Sequence, residues 1–243
     1  MEHGDFVTAT SDVAERPSDE EFARVLGEWA TLQGAGRGVG DWDRAIEDVI
    51  RDERDLRARG FWVHGRDDIF GVLGIQRAEV RHSAMIAWLL DPCARHGFGS
   101  RFLLEFLALA FPDDSFPSHT AARTLCEVTR EECRADIVIA MSDATIVVEA
   151  KVDAVESPRQ CDILFERFAK DVGARFVFLT PGRRRPESAT GDALRAFVAV
   201  SYSDVRTVLH AVLAATGTDH APWGRRLAED YLLTLRREFH EPR

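Results

Sequence analysis

Three strand-like segments follow one another with only short breaks in the middle of the chain, and this spacing constrains the fold more than any other feature. They are TLCEVTREE (124–132), RADIVIA (134–140) and ATIVVEAKV (144–152). All three are rich in β-branched residues, which favour strands, and the breaks between them leave room only for tight turns. We therefore predict an antiparallel meander of three strands.

The second turn determines which residues of the meander face each other. With Ser142 and Asp143 in the turn, Asp136 lies directly opposite Glu149. Opposed residues in an antiparallel ladder share one face, with Cβ atoms roughly 4.5 to 5.5 Å apart. Because side chains alternate along a strand, Lys151 lies on the same face as Glu149, and the intervening apolar side chains pack on the other face.

Two carboxylates at this separation repel each other unless a proton or a metal ion lies between them. Mg²⁺ binds a few carboxylates, a main-chain carbonyl and several waters, so Asp136, Glu149 and the peptide oxygen of Ala150 form a candidate site for Mg²⁺, or for Mn²⁺ as a substitute. The Lys151 ammonium would orient a water nucleophile and offset charge on a phosphate. A salt bridge at a strand end is the alternative interpretation of Lys151.

The choice of lysine at position 151 is itself informative. Of 31 basic residues only Lys151 and Lys170 are lysines, and the others are all arginines. A compact ammonium whose proton is tuned by its neighbours cannot be replaced by a guanidinium. This favours a chemical role for Lys151, whereas chance is a sufficient explanation for Lys170.

The rest of the chain is mainly helical in pattern. Residues 1–17 lack periodicity and indicate a flexible tail, residues 18–65 form a helical N-terminal extension, and residues 66–243 form the main domain. No apolar run is long enough to cross a membrane, and the acidic N-terminus does not resemble a secretion signal. We therefore expect a cytoplasmic protein with no membrane partner.

The hairpin motif, Asp136 followed by Glu149-Ala150-Lys151, resembles the signature of the PD-(D/E)XK nuclease superfamily. The helical block at 69–92 is further similar to bacterial proteins assigned to that superfamily alone. The resemblance implies an α/β restriction-endonuclease-like fold, with an α-β-β-β-α-β core over about residues 76–180, a mixed sheet flanked by helices and an added helical N-terminal region. It also implies Mg²⁺-dependent hydrolysis of nucleic acid, with DNA preferred over RNA.

The resemblance adds residues outside the hairpin. Glu79, on the core helix, would complete the metal site directly or through water, and Gln160, on the helix after the motif, would contact the substrate or Lys151. His82 and Ser83 share a helix face with Glu79 and are expected to contact the substrate. The alternative for both is a set of hydrogen bonds that anchor the helix.

Basic residues near the predicted site are few. Arg183, Arg184 and Arg185 follow a predicted strand end and are expected to bind a nucleic-acid backbone, solvated loop arginines being the alternative. The net charge of -10 argues against indiscriminate binding of nucleic acid, although residues 1–70 hold 17 of the 41 acidic residues and only 9 basic ones. The acidity therefore belongs mainly to the N-terminal extension.

Two other functions stay open from the sequence. One is a catalytically inactive nuclease-like module that binds nucleic acid or a partner protein. The other is a subunit of a bacterial defence or repair assembly, in which the N-terminal helices bind a second copy of the chain or a partner protein. The complete set of Asp136, Glu149 and Lys151 favours an active enzyme over the first of these.

Overall fold

The computed structural model describes residues 39–60, 65–217 and 221–239. It divides into two compact units, Met1–His64 and Gly65–Arg243. The tail predicted before residue 18 and the first helix predicted after it lie outside the described residues.

The described part of the first unit is one helix, α1 (Val39–Ala58). The sequence pattern favours an amphipathic helix here, but the large apolar side chains Ile46, Val49 and Ile50 are exposed by 55%, 66% and 42%. None of the described helices, α1 included, combines the length and apolar character needed to span a lipid bilayer.

The second unit contains a five-stranded sheet between two helical layers. In chain order its elements are α2 (Ile69–Val72), α3 (Glu79–Leu90), α4 (Arg101–Ala110), a 3₁₀ turn (His119–Ala121), β1 (Arg123–Arg130), β2 (Cys133–Ala140), β3 (Thr145–Ala150), α5 (Gln160–Phe168), β4 (Arg175–Thr180), α6 (Gly191–Ala196), β5 (Phe197–Ser201), α7 (Tyr202–Ala215) and α8 (Pro222–Glu238).

The strands are arranged in the sheet in chain order, β1 to β5. The pairs β1–β2 and β2–β3 are antiparallel, whereas β3–β4 and β4–β5 are parallel and are connected through α5 and α6. The predicted meander and the α-β-β-β-α-β core are thus confirmed, as is the mixed α/β sheet flanked by helices.

The predicted register of the β2–β3 hairpin is also confirmed. Ile137 faces Val148 and Ala140 faces Thr145, as a turn at residues 142–143 requires. The amide of Met141 closes the hairpin by donating to the carbonyl of Ala144 at 2.8 Å. A slip of one residue would exchange the two faces of both strands, so this register decides which side chains reach each core.

Two hydrophobic cores lie on opposite faces of the sheet. The larger one packs α3, α4, α7 and α8 against one face and includes the fully buried Ile137, Ile139, Ile146 and Val148 of the hairpin. The smaller one packs α5 and α6 against the other face and includes Val147. Because both faces are covered, β3 and β4 carry almost continuous runs of buried residues.

His82 is part of the larger core rather than of the surface. It is fully buried, with Nδ1 at 3.0 Å from the hydroxyl of Tyr231 and Nε2 at 2.9 Å from the carbonyl of Gln76. Its ring lies 5.4 Å from that of Tyr202 and 5.1 Å from that of Phe239. The imidazole therefore joins α3 to α8 within a cluster of aromatic side chains.

Gly224 allows α8 to approach the loop before α4, and its replacement provides a test of this packing. A Cβ at Gly224 would lie 1.8 Å from the carbonyl oxygen of Arg95 and 2.7 Å from Cα of His96. A helical Gly→Ala change usually stabilises by roughly 0.5 to 1 kcal/mol. Here we expect Gly224→Ala to destabilise by about 1 to 3 kcal/mol because the backbone must move, measured as a lower Tm in thermal unfolding.

The matched control is Gly182→Ala, because a Cβ at Gly182 would meet nothing within 4 Å. Its Tm should stay close to that of the native chain. A Tm that rises in Gly224→Ala would contradict the close packing of α8 on this loop.

Acid should destabilise the larger core through its buried histidines. Burial lowers the pKa of His82 and of His96, so in the folded chain both take up a proton only below the ordinary value of about 6.5. Their contribution is fully present above that value and is lost as the pH falls towards the lower folded pKa. We expect the free energy of unfolding, measured with urea, to fall as the pH is lowered below about 6.5, by up to about 1.4 kcal/mol per pH unit for each histidine.

The variant His82→Gln separates this effect from other acid-sensitive groups. Its free energy of unfolding should fall less steeply over the same pH range, because one of the two buried imidazoles is gone. An equally steep fall in the variant would show that His82 does not contribute.

Candidate active site

The residues of the predicted hairpin site lie at the end of β3, between the two helical layers. A cavity of about 260 Å³ is lined by Glu79, Asp136, Lys151 and Gln160, among others. Glu79 is the first residue of α3 and Gln160 the first of α5, so each layer contributes one side chain. Glu149, behind these residues, is fully buried.

Asp136 lies on β2 at the point where its pairing with β3 stops. The ladder ends with Ile137 and Val148, and the next opposed residues in the same register are Asp136 and Glu149. The amide of Ala150 donates to Oδ2 of Asp136 at 2.8 Å. This hydrogen bond holds the Asp136 carboxylate beside the end of β3.

Glu149 accepts two hydrogen bonds on one oxygen and none on the other. Its Oε1 accepts from Nζ of Lys151 at 2.6 Å and from Nε2 of Gln160 at 2.5 Å. Its Oε2 is buried and has no hydrogen-bond partner among the described residues. A buried carboxylate oxygen without a partner costs free energy, so this atom requires an explanation.

Lys151 lies between two acidic side chains. Its ammonium is 3.3 Å from Oε1 of Glu79 and 2.6 Å from Oε1 of Glu149, and only 8% of its side chain is exposed. Oε2 of Glu79 also accepts from the amide of Val152 at 3.0 Å. Glu79 therefore contacts both the lysine and the backbone that follows it.

Gln160 is held at both ends of its amide group. Its Nε2 donates to Glu149, and its Oε1 accepts from the amide of Ser157 at 3.1 Å. The helix it begins follows Arg159, whose φ of 58° turns the chain into α5. The contact between Gln160 and Glu149 thus comes from the loop geometry after β3 as well as from the helix.

Burial dominates the electrostatics of the two hairpin acids. Burial, followed by the negative charge of Asp136, raises the pKa of Glu149 to about 8 despite the adjacent ammonium. Burial likewise raises the pKa of Asp136, although the hydrogen bond from Ala150 opposes it. Two such carboxylates retain a proton near neutral pH unless a cation neutralises them.

The pKa of Lys151 depends on burial as well as on the neighbouring charges. Burial lowers the pKa of Lys151, but the charges of Glu149, Glu79 and Asp136 outweigh burial, and the net pKa is raised. The lysine therefore stays a cation at neutral pH. A fixed ammonium can hold an anionic oxygen or position a water, but it does not accept a proton.

The site fits a divalent cation held by two carboxylates. The buried Oε2 of Glu149 has no partner among the described residues, and burial together with the negative charge of Asp136 raises the pKa of Glu149, so an added positive charge would be favourable here. Over the described part of the chain no group of three or more His, Cys, Asp or Glu is arranged to hold a metal ion. The further ligands would then come from the main chain and from water, as Mg²⁺ prefers.

The carbonyl of Ala150 is suitably directed for this ligand set. In a strand the N–H and C=O of one residue point to the same side. Because the Ala150 amide points to Asp136, its carbonyl oxygen faces that side as well. The structure thus brings Asp136, Glu149, Ala150 and Lys151 together, with Glu79 in contact with Lys151 and Gln160 in contact with Glu149.

The structure does not bring His82 and Ser83 to the cavity. His82 is enclosed by aromatic rings and bonded to Tyr231, and Ser83 is 2% exposed with a hydroxyl that lacks a partner within the described segments. Neither side chain lines the cavity, so the expected substrate contacts stay a prediction that this geometry does not support. The helix face that begins with Glu79 faces the core one turn later. For His82 the structure shows the alternative interpretation, hydrogen bonds that anchor the helix.

The three loop arginines differ from one another. Arg183 is 3.3 Å from Asp204, Arg184 pairs with Glu156, and Arg185 is exposed. Arg184 also lines a second cavity, of about 280 Å³, that shares Lys151 with the first. Of the three, Arg184 is the one that lines this cavity together with Lys151.

Arg134 also lines the first cavity, and sequence reasoning missed it. It precedes Asp136 by two residues on β2, and strand alternation could have indicated it. Its guanidinium is 3.3 Å from the carboxylate of Glu127, and both side chains are about half exposed.

Comparison with known proteins identifies the family of the chain. A family model described as the PD-(D/E)XK nuclease superfamily matches residues 67–230, which is more than half of the chain and contains every hairpin residue of the site. Neither the curated proteins nor the solved structures contain a significant match. The chain belongs to the PD-(D/E)XK nuclease superfamily.

Proposed function

We propose that the chain is a Mg²⁺-dependent nuclease that hydrolyses phosphodiester bonds of nucleic acid, with DNA preferred over RNA. The observation that carries the proposal is the buried Oε2 of Glu149, which lacks a partner while Asp136 lies next to it and Lys151 neighbours it. A purely structural salt bridge between Lys151 and Glu149 would need no second acid, whereas here Asp136 lies beside Glu149. An open cavity of about 260 Å³ in front of these groups leaves space for a substrate at this point.

Asp136, Glu149 and the carbonyl of Ala150 would hold the cation, with Glu79 in contact through water. When bound, Mg²⁺, or Mn²⁺ in its place, would neutralise negative charge on the phosphate that is attacked. Asp136 is kept in place by the Ala150 amide, and Glu149 by Lys151 and Gln160.

Lys151 would position the attacking water and stabilise the anionic phosphate oxygens through its ammonium. Its place between Glu149 and Glu79 restricts its motion, so little ordering is needed when the substrate binds. Gln160 would maintain this arrangement by fixing Glu149. Arg184 and Arg185 would contact the phosphate backbone on the side of the second cavity.

Substitution of the three hairpin residues tests the proposal directly. Asp136→Ala, Glu149→Ala and Lys151→Ala should each lower Mg²⁺-dependent cleavage of a DNA substrate by at least about 10²-fold, as loss of an electrostatic stabiliser typically does. Cleavage is measured on double- and single-stranded DNA and RNA with Mg²⁺, with Mn²⁺ and with EDTA. Circular dichroism should show that the fold is retained.

Lys170→Ala is the matched control, because Lys170 is the other lysine of the chain and is exposed. It should cleave at the native rate. Native-like cleavage by all three hairpin variants would contradict the proposal.

The neighbouring carboxylates of Asp136 and Glu149 also lead to a prediction about stability. Without divalent ions and above about pH 8, where Glu149 is ionised, Asp136→Asn should raise Tm by a few degrees, because it removes the like charge next to Glu149 while the new amide oxygen can still accept from Ala150. Millimolar Mg²⁺ should raise the Tm of the native chain and not that of the variant. Thermal unfolding with EDTA and with Mg²⁺ measures both effects.

The control is Asp192→Asn, whose side chain is exposed by 75% and whose loss should leave both responses native-like. A native chain that binds Mg²⁺ at this pair but cuts none of the substrates would favour the inactive nucleic-acid-binding module instead. If Mg²⁺ stabilises native and Asp136→Asn chains equally, the pair does not bind the cation.

A further inference from the structure

A second cluster of basic side chains lies outside the hairpin site, between α7 and α8. Arg206, Thr207, His210 and Arg236 line a cavity of about 210 Å³, and no acidic side chain is among its lining residues. Arg206 and His210 are one helical turn apart on α7, and Arg236 comes from the last turn of α8. Two helices thus direct two guanidiniums and an imidazole towards one concave surface.

The absence of a carboxylate sets these arginines apart from most others in the second unit. Arg130, Arg175 and Arg184, for example, each pair with an acidic side chain. Within the described residues Arg206 donates only to the hydroxyl of Ser203, at 2.8 Å, and Arg236 has no hydrogen-bond or ion-pair partner. Their charges are therefore available to a bound anion.

The nearest acidic side chains of the two helices are already engaged. Asp204 accepts from the Ser201 amide and hydroxyl in the capping box of α7 and also pairs with Arg183. Glu238, near the end of α8, pairs with Arg66. Neither is among the residues that line the cavity.

The cavity lies at the same end of the parallel strands as the hairpin site. Lys151 follows β3, and α7 begins directly after β5, two strands further along the sheet. Tyr202, the first residue of α7, stacks on Phe239 at the end of α8, with ring centroids 4.2 Å apart. Phe239 in turn lies 5.4 Å from the guanidinium of Arg77, which pairs with Asp153, two residues beyond Lys151. Arg206 is roughly 6 Å along α7 from Tyr202.

We propose that Arg206, Thr207, His210 and Arg236 form an anion site that binds one phosphate of the nucleic-acid backbone away from the bond that is cut. This deepens the proposed function, on which it rests, by extending the substrate path from Lys151 across the N-terminal turns of α7. The two guanidiniums would neutralise the phosphate, and the imidazole and the hydroxyl would add hydrogen bonds. Contacts of this kind orient the strand without reading its sequence.

Binding measured without cleavage tests the site. The full chain is titrated in EDTA with a fluorescent duplex DNA and with one of its strands at several salt concentrations, and the slope of log K against log salt is compared among variants. Loss of one phosphate contact should reduce the slope by about 0.9 for the duplex or about 0.7 for the single strand. We expect this change in the double variant Arg206→Gln with Arg236→Gln, and a part of it in each single variant.

Arg226→Gln is the matched control for each single variant, since it removes one positive charge from the other end of α8, where Arg226 lies over Trp223. Its slope should equal that of the native chain. If the double variant keeps the salt slope of the native chain, the anion site is wrong. That result would not contradict Mg²⁺-dependent cleavage. Absent cleavage with a reduced slope would overturn the proposed hydrolysis and support the site.

The last experiment adds inorganic phosphate at matched ionic strength. A saturable rise in Tm with phosphate that the double variant loses, together with an unchanged DNA slope, would assign the cavity to a free phosphate and overturn the proposal. Weak competition of inorganic phosphate with DNA for binding, together with a reduced salt slope of DNA binding in the double variant, would support the assignment of the cavity to a backbone phosphate.

Discussion

The site depends on one buried carboxylate. Glu149 is fully enclosed, yet it has a second acid, Asp136, beside it and an oxygen with no hydrogen-bond partner among the described residues. Such an arrangement is costly for the folded chain, because removing charge from water is compensated only when partners are close and complete. Lys151 and Gln160 compensate one oxygen of Glu149. The other oxygen of Glu149 has no partner among the described residues, and in the proposed function it would bind a cation together with Asp136.

The fold brings these groups together from distant parts of the sequence. The hairpin places Asp136 and Glu149 in adjacent strands, and the pairing of β3 with β2 stops at Val148 while its pairing with β4 continues to Ala150. Helices from both layers begin there, so Glu79 approaches Lys151 from one side and Gln160 approaches Glu149 from the other. The cores beneath are apolar on both faces, which keeps the strand ends rigid and the acids poorly hydrated.

Much of the hairpin could be predicted from the sequence, because a short turn fixes the register and the register fixes the faces. The unusual lysine at position 151 indicated the same place from composition. Gln160 and Glu79 needed the resemblance to a family, since nothing local shows that two helix starts converge on one strand end.

Other features depend on contacts that are distant in sequence. The spacing of His82 relative to Glu79 predicts a polar helix face, but Tyr231, Tyr202 and Phe239 enclose the imidazole, and they come from the last third of the chain. Helix α6 is only six residues long and begins at a glycine, too short for a periodic pattern. The pairing of Arg184 with Glu156 likewise arises from two loops that the fold brings together.

The central claim is that Asp136 and Glu149 jointly bind a divalent cation. Anomalous diffraction from crystals grown with Mn²⁺ tests it most directly, with crystals of Glu149→Gln as the comparison. The account predicts one strong anomalous peak between the two carboxylates, within bonding distance of the Ala150 carbonyl, and its loss in the variant. An empty site in the native crystal, or a peak that persists in Glu149→Gln, would contradict it.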